Sequence, residues 1–380
     1  MPSKKCPSIL ILCSLDQSLI SFRLDMIKSF IANGYKVFAG APNFQDNTSQ
    51  TLSDLGVVTV EFPLQRTGLN PWKDLLSVLK IRNIIIKNEI DLLFPYTIKP
   101  VIYGSLAGRF TNTPVISLIT GLGFTFSKSS IKARVLQKVT EVLYKIALSK
   151  NNAIIFQNSD DVALFREKGI LNKNQNTHIV DGSGIHLERY PFRENNKVSD
   201  KIIFVFVARL IREKGADLFM DAAQKLKTEF PKAEFHIIGN IDNSPSSISP
   251  NRLSELNERK IITYHGFKKN VENYLTNSDV FVLPTYYREG IPRSILEALS
   301  IGMPIITTNT PGCKETVLRN ENGILIEPKQ LNELILGIRF FLENPASIGP
   351  MGNRSRKLAE ERFNVDIIND MILKIINNNL

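Results

Sequence analysis

One pattern, repeated along the whole chain, limits what it can fold into. A short apolar run rich in β-branched residues is followed by a turn and then by a segment whose apolar positions have helical spacing. In the first half the runs lie at 8–13, 35–39, 57–61, 91–96, 114–119, 153–157 and 178–180. Between them come segments such as 22–32, 72–87 and 131–148. A continuous apolar run reads as a strand buried on both faces, the signature of a parallel sheet covered by helices. The pattern breaks at Gly182-Ser183-Gly184 and the polar stretch 193–200, then restarts at 202–208, 234–239, 261–264, 280–284, 304–308 and 323–326. A chain of 380 residues also exceeds what one core usually supports. The expected architecture is α/β: two doubly wound Rossmann-like domains, 1–190 and 191–362, with a ligand crevice between the carboxyl ends of their strands. The segment 363–380 is apolar at 365, 367, 368, 371, 372, 373, 375 and 376, more than one helical face, and is expected to pack back on the N-terminal domain.

Charge narrows the partners. Residues 1–190 hold 22 lysines and arginines against 14 acids, whereas residues 191–380 hold 25 against 23. Within 127–150 there are six basic residues and one acid, Glu141. A polyanion is expected to meet the first half, either an anionic membrane surface or a nucleic acid. Cys6, Cys13 and Cys313 are too few and too scattered for a disulfide framework or a metal site. No stretch approaches the roughly 18 uncharged apolar residues that span a bilayer. The run 8–13 follows two lysines and leads into polar sequence, so it reads as a first strand and not a signal peptide. A cytoplasmic protein is expected.

The most informative segment runs from Pro284 to Ser300. A buried strand ends at Pro284 and a helix is expected to start near Pro292, where proline is favoured at the first helical position. Free amides at such a helix start attract negative charge and sugar hydroxyls. Glu289 precedes the helix and Glu297 lies about a turn and a half inside it, so the two carboxylates can serve different ends of one elongated ligand. Upstream, Arg209 closes another strand and Lys214-Gly215 opens the next helix. Two cations at a strand-end crevice form an anion site, with arginine suited to paired oxygens and lysine to a point charge. Gly239-Asn240 and Gly266-Phe267-Lys268 end two further strands; alone, such turns carry no specific chemistry.

Together these segments resemble glycosyltransferase family 4, and the similarity extends over nearly the whole chain. The resemblance implies the GT-B fold, retention of configuration and a nucleotide-sugar donor, most simply UDP-linked. It assigns ribose binding to Glu297, contact with the transferred sugar to Glu289, and diphosphate binding to Arg209 and Lys214. The backbone of Gly290, Ile291, Pro292, Arg293 and Ser294 would hold sugar hydroxyls and the distal phosphate. Gly239, Asn240, Gly266, Phe267 and Lys268 would cradle the base and diphosphate. No Asp-x-Asp occurs, in line with a metal-independent enzyme whose leaving group is stabilised by fixed cations.

In the first half, 97–100, 119–124, Phe22-Arg23 and 158–160 resemble bacterial enzymes that elongate polyprenyl-diphosphate-linked saccharides for capsule, O-antigen or glycoprotein assembly. That resemblance makes Arg23, Lys99, Thr120 and Gly121 candidates for acceptor binding. A buried aromatic at Phe22 beside a surface cation at Arg23 is the alternative for that pair. Two departures stand out: Ser14-Leu15-Asp16-Gln17 replaces a glycine pair, and Thr120 replaces a histidine that supports the transition state in relatives. The expected enzyme works at the inner face of the cytoplasmic membrane, with 131–150 lying on the anionic leaflet. A GT-B nucleotide-sugar epimerase, or a basic membrane- or nucleic-acid-binding protein, are the alternatives.

Overall fold

The computed structural model describes residues 6–65, 70–123, 131–193, 201–241, 244 and 246–379, with only the backbone at 131–133. Phe124, two of the six basic residues counted in 127–150 (Lys128 and the Lys132 side chain) and the stretch 194–200 lie outside the described residues. The chain packs as two compact units, Met1–Ser183 with Val365–Leu380, and Gly184–Asn364.

In the first unit the strands are β1 (Ser8–Leu12), β2 (Lys36–Ala41), β3 (Val58–Glu61), β4 (Leu92–Pro95), β5 (Ile116–Ile119), β6 (Ala153–Phe156) and β7 (Thr177–Ile179). They pair in parallel in the orders β3-β2-β1-β4 and β5-β6-β7. Parallel bridges from Leu93 to Val115 and from Tyr96 to Leu118 join the two sets edge to edge. The helices are α1 (Gln17–Ala32), α2 (Asp46–Ser53), α3 (Pro71–Lys87), α4 (Ile98–Thr111), α5 (Ile131–Leu148) and α6 (Ser159–Glu167). Alternation along each strand sorts side chains between two layers. Leu10, Leu12 and Leu93 pack with Val78, Val101 and Tyr144 from α3, α4 and α5. Ile9, Ile11, Leu92 and Phe94 pack on the other face with Leu19, Met26 and Phe30 of α1.

The second unit repeats the plan with β8 (Ile203–Val207), β9 (Glu234–Ile238), β10 (Thr263–Tyr264), β11 (Val280–Leu283), β12 (Ile305–Thr308) and β13 (Gly323–Ile326). Its parallel order is β10-β9-β8-β11-β12-β13, so the strand order reverses between β8 and β11. Helices α7 (Ala216–Glu229), α8 (Pro250–Glu258), α9 (Glu272–Thr276), α10 (Arg293–Ile301), α11 (Leu331–Glu343) and α12 (Ile348–Leu358) connect and cover it. The strand expected at 261–264 is only two residues long. The Ile261 and Ile262 amides instead donate to the Leu256 carbonyl and close α8, leaving Thr263 and Tyr264 to pair with β9.

The last helix, α13 (Val365–Asn377), belongs to the first unit and meets α1. Ile368, Ile372 and Ile376 enter the same core layer as Ile9 and Phe30, and the Tyr35 hydroxyl donates to Asn377 at 2.8 Å. Ile372 is 1% exposed, so Ile372→Ala deletes core volume and should cost the first unit about 2–4 kcal/mol. Denaturant unfolding followed by circular dichroism checks this; an unchanged midpoint would show that α13 contributes nothing to that core.

Candidate active site

Ligands of doubly wound sheets bind outside the carboxyl ends of the strands, where the strand order reverses. In the second unit that point lies between the loops leaving β8 and β11. These loops are locked together through their backbones. The Glu213 carbonyl accepts from the Tyr286 and Tyr287 amides at 2.8 and 3.0 Å, and the Thr285 hydroxyl lies 3.0 Å from it. Gly215, at φ +82°, sits so close to Pro284 that a Cβ would lie 2.2 Å from the Pro284 carbonyl oxygen. The loop after β12 closes in from the other side. Gly312, at φ +84°, would place a Cβ 1.4 Å from the Gly290 carbonyl oxygen. The Thr308 hydroxyl donates to the Thr285 carbonyl at 2.5 Å.

This framework brings Lys214 and Glu289 together as an ion pair, each side chain 13% exposed. The Thr285 hydroxyl lies 3.2 Å from Glu289 Oε1, and the Lys214 ammonium lies 5.7 Å from the centre of the Tyr287 ring. Cys313 is close to the pair, but burial, then the Glu289 charge, push its thiol up to about 12. It is therefore a neutral thiol at physiological pH and no nucleophile.

Glu297, expected on the helix that follows, is buried within α10. Both of its bonds end on Oε1: the Tyr190 hydroxyl donates at 2.9 Å and Arg293 Nε at 3.4 Å. Burial raises its carboxyl above the usual range, while Arg293 and the Tyr190 bond oppose that shift. Tyr190 is itself held from behind. Its carbonyl accepts from Ser300 Oγ at 2.7 Å and from Arg356 Nη1 at 3.3 Å, and Arg356 also donates to the Ser300 carbonyl at 2.8 Å. Neither Tyr190 nor Arg356 was identified from sequence, because nothing in the motif at 284–300 points to partners so distant along the chain. Pro292 caps the helix from an extended conformation one position before the first helical residue. Its carbonyl accepts from the Ile295 amide at 3.1 Å.

A cavity of about 500 Å³ opens at the ends of β8, β9 and β10. Arg209, Gly239, Asn240, Phe267 and Lys268 all line it, with apolar walls from Val207, Ile238 and Val271. Gly266 lies just behind and accepts from the Gly239 amide at 3.0 Å. Thus five loop residues singled out from sequence meet around one space. Lys214, Glu289 and Glu297 are not among its lining residues. His265 is turned against His236 and Tyr274, at 4.9 and 4.8 Å between ring centres, and burial lowers its pKa.

In the first unit, Lys99 stands in the first turn of α4, after β4, and pairs with Asp74 at 3.1 Å. Thr120 and Gly121 follow β5 directly. Thr97, between β4 and α4, adopts φ 67°, ψ 159°, a strained conformation for a side chain branched at Cβ, and its hydroxyl bonds Ser14. The alternative offered for Phe22 and Arg23 is reversed: Phe22 is 44% exposed, and Arg23 is buried with its guanidinium 5.2 Å from the centre of the Tyr96 ring. Among the described residues, no group of three or more His, Cys, Asp or Glu side chains is arranged to hold a metal ion.

Two Rossmann-like units with this site define a GT-B protein. Residues 9–158 match the sequence family "Glycosyl transferase 4-like", and residues 190–362 match "Glycosyl transferases group 1". The chain belongs to this glycosyltransferase family and is a transferase, not an epimerase. It is 28% identical to the N,N'-diacetylbacillosaminyl-diphospho-undecaprenol alpha-1,3-N-acetylgalactosaminyltransferase of Campylobacter jejuni, over 86% of this chain and 87% of that protein. It is 26% identical to the UDP-Gal:alpha-D-GlcNAc-diphosphoundecaprenol alpha-1,3-galactosyltransferase of Escherichia coli, over 80% and 81% respectively. Among solved structures, a sucrose-phosphate synthase of Thermosynechococcus elongatus superposes with a TM-score of 0.81 at 18% identity, covering 98% of each chain.

The environment of Glu297 generates a prediction with a definite sign. A carboxyl whose folded-state pKa is raised contributes stability below its ordinary value of 4.5, and that contribution is lost as pH rises through the raised value. In Glu297→Gln one carbonyl oxygen can keep both bonds while the buried charge is gone. The thermal midpoint at pH 7 should equal or exceed that of the parent, and its decline above pH 4.5 should flatten. A marked loss of stability at neutral pH would contradict this account.

Proposed function

We propose that this glycosyltransferase retains anomeric configuration and moves a hexose or N-acetylhexosamine from a UDP-sugar to a saccharide carried on polyprenyl diphosphate. One observation carries the donor half. Lys214 and Glu289 meet at the strand-order reversal, where such a sheet receives ligands, and Arg209 faces the neighbouring cavity. Support for the acceptor half comes from the Campylobacter and Escherichia relatives, both named for acting on sugars linked through diphosphate to undecaprenol.

In this reading the base and diphosphate occupy the cavity formed with Gly239, Asn240, Phe267 and Lys268, backed by Gly266. Glu297 Oε2 accepts from the ribose, since both bonds from Tyr190 and Arg293 end on Oε1. Arg209 and Lys214 stabilise the negative charge that develops on the departing β-phosphate, with no metal required. Glu289, released from Lys214 as the phosphate takes its place, holds the transferred sugar together with the 290–294 backbone. The bond from the anomeric carbon to the phosphate oxygen breaks while the acceptor oxygen bonds that carbon on the same face. The acceptor's proton passes to the departing phosphate. Positioning and electrostatics do the rest. Lys99, Thr120 and Gly121 contact the acceptor, with Arg23 buried against Tyr96, and the basic first half draws the enzyme to the anionic inner face of the cytoplasmic membrane.

Lys214→Ala and Glu289→Ala should each lower turnover by about a thousandfold or more with the fold intact. A radiolabelled-sugar assay against the lipid-linked acceptor measures this, and full activity in Glu289→Ala would overturn the assignment. Chelation with EDTA should leave the rate unchanged; strict dependence on a divalent ion would contradict the leaving-group role of the two cations.

A further inference from the structure

Helix α3 has two apolar faces. Val78, Ile81, Ile84 and Ile85 are buried in the core shared with α4 and α5. On the opposite side stand Trp72, Leu75, Leu76, Leu79 and Ile86, from 44% to 79% exposed. Their spacing places them within one stripe, about 180° around the helix from the buried face. A helix that only covers a sheet carries polar residues there. Helix α5 is built the same way. Tyr144, Ala147 and Leu148 are buried, while Val135, Val139, Val142 and Ile146 form an exposed stripe at positions i, i+4, i+7 and i+11.

Both helices pack against α4 on one face of the sheet, so both stripes look away from it. Single exposed apolar residues need no explanation, but two aligned stripes on one helix layer mark an interaction surface.

The charges say what that surface meets. Lys73, Lys80 and Lys87 flank the α3 stripe, and Arg134 and Lys145 flank the α5 stripe, all exposed. The two acids of these helices are turned away: Asp74 pairs with Lys99, and Glu141 is buried. An apolar stripe whose exposed charged neighbours on its own helix are all cations matches the boundary between acyl chains and anionic headgroups. Pairing with a second copy would set lysine rows against each other without counter-charge. We propose that α3 and α5 form a two-helix face that inserts into an anionic bilayer, with Trp72 as its interfacial anchor. This deepens the reading of a membrane-presented acceptor and rests on it for its purpose. It adds a hydrophobic contact, and a second helix, to the attraction of net charge.

Trp72 is the chain's single tryptophan, so its fluorescence reports on this face alone. With vesicles of equal parts phosphatidylglycerol and phosphatidylcholine, its emission should shift to the blue and be quenched by brominated lipid. The double variant Leu76→Glu/Leu79→Glu changes exposed positions only. It should weaken vesicle co-sedimentation by about tenfold or more and leave transfer to a short-chain, water-soluble acceptor unchanged. Three results overturn the proposal: no binding to these vesicles, binding with unshifted Trp72 emission, or double-variant binding equal to the parent's. A lipid-free blue shift that follows dimerisation in sedimentation would assign the face to a second copy instead. Failure here with normal transfer leaves the proposed activity standing. Absence of transfer by a protein that binds vesicles as described would sink the activity and not the surface.

Discussion

The proposed donor site depends on the close approach of three backbones at the carboxyl end of the second sheet. One carbonyl, that of Glu213, gathers the amides of Tyr286 and Tyr287. Gly215 and Gly312 sit where any side chain would strike a neighbouring carbonyl. Because these loops are fastened main chain to main chain, the Lys214 and Glu289 side chains meet without having to hold the loops together themselves. Electrostatic catalysis works through charges fixed before the reaction begins, since little reorganisation is then needed as charge develops. The pair also gives each of the two charges a partner, which limits the cost of burying both.

Glu297 follows the same logic one layer deeper. Its carboxylate is kept in a buried place by Tyr190, whose own carbonyl is held by Ser300 and Arg356 from α10 and α12. In the proposed role, a carboxylate restrained in this way would recognise ribose hydroxyls more sharply than a mobile surface glutamate, because little side-chain freedom remains to be lost on binding.

Much of this is legible in the sequence. The buried parallel strands announce themselves as apolar runs, and the family resemblance, not the strand ends alone, singles out Arg209, Gly239, Asn240, Phe267 and Lys268, which line one cavity. What sequence could not convey was packing between distant segments. Ile261 and Ile262 have the composition of a strand, yet their amides finish a helix instead. Phe22 and Arg23 exchange the burial their chemistry implies, because the guanidinium finds the Tyr96 ring and the phenyl ring does not find the core. The α3 stripe went unnoticed because a helix with apolar residues on opposite sides has no strong period to read. Tyr190 was missed since a single tyrosine near the junction of the two units carries no local signal.

The central claim is that the nucleotide sugar is held at the carboxyl end of the second sheet, and photolabelling tests it most directly. With an azido-uridine diphosphate sugar, followed by peptide mapping, the label should fall on residues 207–215 or 264–271, and excess UDP should suppress it. A UDP-suppressible label confined to residues 6–183 would contradict the account.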